Sequence, residues 1–316
     1  MKEIIINKND ANQRIDKFIT KFMPFLPQGM LYKGFRKNCI KVNGRHIKDA
    51  SYKLCEGDLL SLYFKDEFFE KPEYDEAFYK INPKIDIIYE DENILLADKK
   101  PGMLVHSDDT GDYDTLIEHI KAHLYQNGEY CPEKENTFVP SLCNRIDRNT
   151  GGIVIAAKNA EALRIMNQKI KDRELVKKYL CIAEGYFGKK QAILDGYLFK
   201  DEIKKRVYVT DNPQKGAKRI RTEYRVLAQK DNMSLLEIDL LTGRTHQIRA
   251  HLAHIGHPLA GDGKYGKSRN EYKHQALYSY KLEFKFTTNA GCLDYFNGKT
   301  FTVKNVEFAE RFGYAI

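Results

Sequence analysis

The sequence predicts an α+β protein: a large domain on a mixed, mainly antiparallel sheet, preceded by a small α/β module. Three observations lead there. Strand-like apolar runs outnumber helical patterns and do not alternate with them regularly, unlike a chain of βαβ units. The 316 residues suffice for one large and one small domain. With 42% hydrophobic and 30% charged residues, the chain is globular rather than disordered.

Residues 1–65 read as the small module. Ile15, Phe18, Ile19 and Phe22 fall at i, i+3, i+4 and i+7 and mark one apolar helix face. In "PFLPQG" two prolines and a glycine break that helix. A second short helix is predicted around Met30 to Lys37. In "CIKVNGRHI", Ile40 and Val42 alternate with polar residues before an Asn43-Gly44 turn, a hairpin signature. "GDLLSLYF" supplies a closing strand. Between residues 31 and 53, Lys33, Arg36, Lys37, Lys41, Arg45, Lys48 and Lys53 stand against Asp49 alone, a net +6 of the chain's +8. A charge run is ordinarily a solvated face. One helix and hairpin carrying nearly all the excess points to an anionic partner. A phosphate backbone is the natural one, because lysine and arginine bind it by neutralising phosphates.

Residues 66–83, "DEFFEKPEYDEAFYKINP", hold six acidic residues and two prolines without periodicity. They read as an acidic, aromatic linker with some rings packed on a neighbour. The large domain spans 84–316. Strands are predicted at 85–89, 94–97, 153–157, 179–183, 222–228 and 234–241, and helices at 114–124, 159–171 and 245–255.

Several classes are argued against. Cys39, Cys55, Cys131, Cys143, Cys181 and Cys292 form no C-x-x-C pair, so a zinc ribbon or thioredoxin-type motif is not expected. Scattered cysteines fit reduced thiols in a cytoplasm. The start "MKEIIINKND" is too short an apolar run for a signal peptide, and no segment approaches the roughly 18 apolar residues of a membrane span. A cytoplasmic monomer is expected.

Two stretches carry candidate chemistry. In "LCNRIDRNTGG", Asp147 lies between Arg145 and Arg148, ahead of the apolar run "IVIAA". By residue type alone it reads as a structural, salt-bridged loop aspartate. Held ionised by Arg145, Arg148 or the distant Arg249, it would be a poor general acid but a competent nucleophile. In "LLTGRTHQIRAHLAHIGHPLAGDGKYG", Thr245 is the expected N-cap of a helix buried on Ile248, Leu252 and Ile255 and ended by Gly256 and Pro258. His246, His251, His254 and His257 invite a metal reading. There is no H-E-x-x-H and no cysteine nearby, so they are expected to cap, pack or touch the phosphate-bearing partner.

Four stretches together resemble the RluA-type RNA pseudouridine synthases. "NRIDRNTGGIVIAAKN" is similar to the signature H-R-L-D-x-x-T-S-G, and "LLTGRTHQIRAHLAHIGHPLAGDGKYG" to the family's other long signature. "VKKYLCIAEG" is similar to its K-x-Y-x-A-x-V-x-G stretch and "ADKKPGMLVH" to its K-P-x-G-x-x-V-H stretch. They lie in the family's order over about residues 85 to 285. The N-terminal module resembles the alpha-L RNA-binding domain. The resemblance implies isomerisation of uridine in RNA: the ribose–nitrogen bond breaks, the base rotates, and carbon 5 re-attaches. Asp147 maps to the essential catalyst, acting on the ribose covalently or through a glycal. Tyr179 maps to the tyrosine that stacks on uracil and helps remove the carbon 5 proton, and Arg249 to the aspartate's partner. Arg145 maps to an arginine that refills the stack when the base flips out. Arg36, Lys37, Lys41, Arg45, Arg244 and His246 are assigned to RNA binding.

The resemblance implies no metal or other cofactor. The implied partner is RNA, with large-subunit ribosomal RNA the expected substrate and transfer RNA the alternative. A non-catalytic RNA-binding or ribosome-assembly protein of the same fold is the rival reading. Three positions depart from the family pattern: Asn144 replaces its histidine, Ile146 its leucine and Gly151 its serine. Asn144 and Gly151 are expected to flank the RNA-facing loop and to shift target preference, with Gly151 loosening the turn. The proline of "KKPG" sits one place late, which leaves the path of that segment open.

Overall fold

A computed structural model describes residues 1–70, 76–107, 114–266 and 272–316. The N-terminal segment contains β1 (Lys2–Ile5), α1 (Ile15–Phe22), α2 (Gln28–Arg36), β2 (Ile40–Val42), β3 (Arg45–His46) and β4 (Leu59–Leu62). Its antiparallel sheet has the order β1-β4-β2-β3. Asn43 and Gly44 take φ of 50° and 76° between β2 and β3, the left-handed pair a tight hairpin requires. Ile15, Phe18, Ile19 and Phe22 are buried as the period predicts, against Leu31, Phe35, Ile40, Leu60 and Leu62. β1 is not among the predicted elements. Its apolar run hides the alternation, since Ile4 faces the core while Ile5 is exposed.

The remaining elements are β5 (Asp86–Glu90), β6 (Ile94–Lys99), α3 (Leu116–Gln126), β7 (Ser141–Leu142), β8 (Gly151–Ala157), α4 (Ala160–Lys171), β9 (Leu175–Glu184), β10 (Gln191–Asp201), β11 (Arg206–Thr210), β12 (Lys218–Lys230), β13 (Met233–Leu240), α5 (Gln247–His254), β14 (Leu277–Phe284), β15 (Thr300–Thr302) and α6 (Glu307–Glu310). The sheet order is β11-β10-β12-β13-β9-β14-β8-β6-β5, with β7 on β8 and β15 on β14. Among the described strands only β14 and β8 pair in parallel. This is the mixed, mostly antiparallel sheet the sequence predicts. Every residue of β8 is buried, so its sequence GGIVIAA is a continuous apolar run without alternation.

β10, β11 and β14 lie outside the predicted strands. Gly196 interrupts β10, and β14 (LYSYKLEF) is buried on both faces and shows no clean period of two. The stretch read as a linker is partly structured. Short 3-10 turns span Asp66–Phe69 and Glu76–Lys80, and Phe78 is buried edge-on against Tyr125 of α3. The N-terminal segment touches the large sheet's surroundings through polar bonds. Asn136 Nδ2 and Thr137 Oγ1 each donate to buried Asp10 at 2.7 Å, and the Ala160 amide donates to Asn9 Oδ1 at 3.1 Å.

Candidate active site

Asp147 sits in the loop that feeds β8. The Thr150 amide donates to the Asp147 carbonyl at 3.0 Å, and buried Thr150 accepts from Gln275 at 3.3 Å. Of the three candidate cations, the structure brings the most distant one in sequence. Arg249 Nη1 donates to Asp147 Oδ2 at 2.8 Å across 102 positions. Arg145 is exposed, and Arg148 turns back to donate from Nε to the Gly102 carbonyl at 3.0 Å.

Arg249 is itself held from behind. Its Nε and Nη2 donate to the two oxygens of Asp262 at 2.8 and 2.9 Å, and the Asp262 side chain is fully buried. Burial pushes the Asp262 carboxyl up, but Arg249 and the amides of Lys264 and Tyr265 outweigh it and hold it below the usual range. Asp147 is 27% exposed at the outer end of this chain of charges. The result is a carboxylate fixed in direction, partly open, and backed by a buried guanidinium. It can attack an electrophilic carbon or accept a proton.

Tyr179 lies one strand away. On β14, Ser279 stands opposite Tyr179 of β9 on one side and Gly152 of β8 on the other. That strand therefore spaces the tyrosine from the aspartate loop. Burial, with the field of Asp147, pushes the Tyr179 phenol up to about 12 against a hydrogen bond from Ser279. It is a neutral phenol near pH 7. A ring so placed can stack or donate, but it is not a ready base.

The helix carrying Arg249 starts differently from expectation. Thr245 is exposed and does not cap it. His246 occupies that position in the left-handed region, φ 53°, with no side-chain cap bond. Buried Gln247 anchors the turn instead, donating to the Arg221 carbonyl at 3.1 Å and accepting from Thr242 Oγ1 at 2.9 Å. Ile248 and Leu252 are buried as expected, but Ile255 is 37% exposed at the helix end. His246 Nε2 lies 3.6 Å from Asp147 Oδ2. The other histidines have separate partners: His251 with Thr222, His254 with Asp211, and His257 with the Glu184 carbonyl. Among the described residues, no three His, Cys, Asp or Glu side chains are grouped to hold a metal ion, and no helix is long and apolar enough to cross a membrane.

Lys99, at the end of β6, is a residue of the site that sequence reasoning missed. It has no exposed surface, and its Nζ donates to the carbonyls of Lys100, Met103 and Arg148 at 3.0, 2.8 and 2.9 Å. Burial pushes this amine down to about 8 against the pull of Asp147 and Asp98. It ties the "KKPG" segment to the aspartate loop, which fixes the path the sequence left open. The first lysine of "KK", closing an apolar strand, was the only signal.

Two expected departures are corrected. Asn144 is buried and does not face outward. Its Oδ1 accepts from the Ile155 amide at 2.8 Å, stapling the loop to β8. Gly151 does not loosen the turn. It is buried in β8, where an added Cβ would lie 2.2 Å from the Tyr278 ring. The basic residues of the N-terminal segment stand apart from this constellation. Arg36, Lys37 and Arg45 are exposed, and Lys41 Nζ lies 5.2 Å from the Tyr63 ring centre. Arg244 is exposed on the turn before α5.

Comparison with known proteins adds an independent observation. A family model described as RNA pseudouridylate synthase matches residues 93–254, about half of the chain. An "Uncharacterized RNA pseudouridine synthase" of Mycoplasma capricolum is 31% identical over 98% of this chain and 100% of its own length. A "Ribosomal large subunit pseudouridine synthase C" of Vibrio parahaemolyticus is 33% identical over 84% of this chain and 80% of its own. Among solved structures, human RNA pseudouridylate synthase domain containing 4 has the same fold at a TM-score of 0.55 and 18% identity, over 70% of this chain and 89% of that one.

Proposed function

The chain belongs to the RNA pseudouridylate synthase family, and on that premise we propose that it converts uridine to pseudouridine at a defined place in structured RNA, with large-subunit ribosomal RNA as the substrate. The Vibrio relative's name supports the ribosomal choice. The observation that carries the catalytic reading is the Asp147–Arg249 pair at 2.8 Å, with Tyr179 one strand away.

In this reading Asp147 acts on the ribose while the ribose–nitrogen bond breaks. The uracil turns, carbon 5 bonds to the ribose carbon, and the carbon 5 proton leaves to solvent. Atoms and charge balance without a redox change. Arg249 keeps the carboxylate directed at the sugar. Tyr179, a neutral phenol in the free protein, stacks on the base rather than waiting as a phenolate. Exposed Arg145 fills the gap left by the flipped nucleotide, at the cost of a few kcal/mol of unstacking. We assign residues 1–65 to an alpha-L-type RNA-binding module, in which Arg36, Lys37, Lys41 and Arg45 contact phosphates. Residues 84–316 form the catalytic domain, with Arg244 on its RNA-facing rim.

The test is tritium release from RNA carrying tritium at uracil carbon 5, in EDTA, using total RNA of a strain lacking the gene. Release by the wild type and none by Asp147→Ala is expected. No release by the wild type overturns the activity, and release surviving Asp147→Ala overturns the role of Asp147. Release from transfer RNA but not from ribosomal RNA overturns the substrate.

A further inference from the structure

His246 and Tyr265 form a pair whose geometry dictates where a proton sits. His246 Nδ1 lies 2.9 Å from Tyr265 Oη, and Val207 donates its amide to the same Oη at 3.3 Å. Tyr265 is buried, and its own amide is bound to Asp262 Oδ1 at 3.1 Å, so the ring is fixed. A buried phenol proton needs an acceptor. Among the described residues His246 Nδ1 is the acceptor within reach, so the phenol donates to it. A neutral imidazole carries one N–H and one lone pair, so its proton must then be on Nε2.

That Nε2–H is aimed at the reacting site and is not used up there. It lies 3.6 Å from Asp147 Oδ2, beside the carboxylate but beyond hydrogen-bond distance. The left-handed backbone at His246, φ 53°, is uncommon for a residue with a side chain, and such strain is found where a site demands a direction. Around the ring stand Asp147 from its loop, Arg249 from α5, and Lys264 and Asp262 from the loop after it. Burial, helped by Arg249 and Lys264, outweighs the two aspartates and holds the imidazole below its ordinary range, hence neutral near pH 7.

We propose that Tyr265 is a positioning residue that fixes His246 as the Nε2–H form, and that His246 donates a hydrogen bond from this N–H to an acceptor oxygen of the nucleotide seated on Asp147. This rests on the synthase reading above. The oxygen belongs either to the ribose 2′ position or to the uracil carbonyl between the two ring nitrogens.

The tautomer is read without turnover, by nitrogen-15 NMR of histidine-labelled protein with His246→Gln identifying the resonance. A proton on Nε2 in the wild type, redistributed in Tyr265→Phe, is expected. A proton on Nδ1 in the wild type overturns the proposal whatever the activity. Turnover tests the donor. Loss of a single directed donor lowers kcat on the order of a hundredfold in His246→Ala. Tyr265→Phe lowers it about tenfold. His246→Gln carries its amide nitrogen near the position of Nε2 and needs no lock, so Tyr265→Phe adds nothing on that background. An equal loss on both backgrounds means Tyr265 acts through general packing and overturns its role. RNAs with 2′-deoxyuridine or 2-thiouridine at the target separate the two oxygens, since His246→Ala costs little on the RNA that lacks its partner. A full cost on both RNAs overturns the donor role. If the wild type turns over no RNA, the function and the donor role fall together, while the NMR result still decides the tautomer.

Discussion

Asp262 takes two of the three nitrogens of Arg249, at 2.8 and 2.9 Å, and leaves the third for Asp147. The fork geometry of guanidinium makes this division possible, and a lysine could not reproduce it. Because the buried side of the fork is occupied, the exposed side has one direction. Asp262 therefore sets the orientation of a carboxylate it does not touch.

Arg249→Met leaves Asp262 buried without its main partner. A loss of about 3–5 kcal/mol in urea unfolding near pH 7 is expected. The pH dependence has a definite sign. In the wild type the Asp262 carboxyl is held low, so its contribution is present above the unfolded pKa of about 3.9 and is lost as pH falls through the folded value. The variant lacks most of that gain. The stability gap should widen from pH 3 to pH 7, and a constant gap would show that the pair does not carry the stability.

Lys99→Met removes the donor that three carbonyls share. The expected cost is about 1–3 kcal/mol per group left unsatisfied in a buried setting. The tie to Arg148 also predicts a fall in kcat larger than any rise in KM, because the aspartate loop loses its rear anchor. Unfolding and tritium-release kinetics on the same preparation check both. An unstable variant with normal kcat would limit Lys99 to the fold.

Gly151→Ser is expected to destabilise by about 1–3 kcal/mol or more, because its Cβ enters the Tyr278 ring. In a Tyr278→Ala background the same change should cost much less. Equal costs on both backgrounds would falsify the steric account.

Charge reversal at Arg36, Lys37 and Lys41 should weaken RNA binding and flatten its salt dependence, by roughly 0.7 in log–log slope for each phosphate no longer neutralised. Filter binding between about 50 and 200 mM salt measures this. Unchanged affinity would mean the basic face is only solvated.

Much of the fold was legible because local period and burial agree. α1 shows its core face in four residues, and the β2–β3 turn shows itself in Asn43-Gly44. β10 and β14 were not legible, since burial on both faces or an internal glycine erases the alternation. Phe78 shows the same limit in the supposed linker, where a packing partner 47 positions away cannot be read locally.

By itself the sequence named the candidates: Asp147, Tyr179 and Arg249 stand in motifs that need no coordinates to find. Only the tertiary structure decided how they act on one another. Asp147 is flanked by two arginines in the chain, yet its carboxylate meets a third. Strand order brings β8, β14 and β9 side by side, and α5 packs against the same sheet, so the cation that meets Asp147 comes from 102 positions away. The same packing turned Asn144 inward, required a glycine at 151, and set His246 against Tyr265. Each of these is a contact between segments apart in sequence, and local pattern holds no record of such contacts.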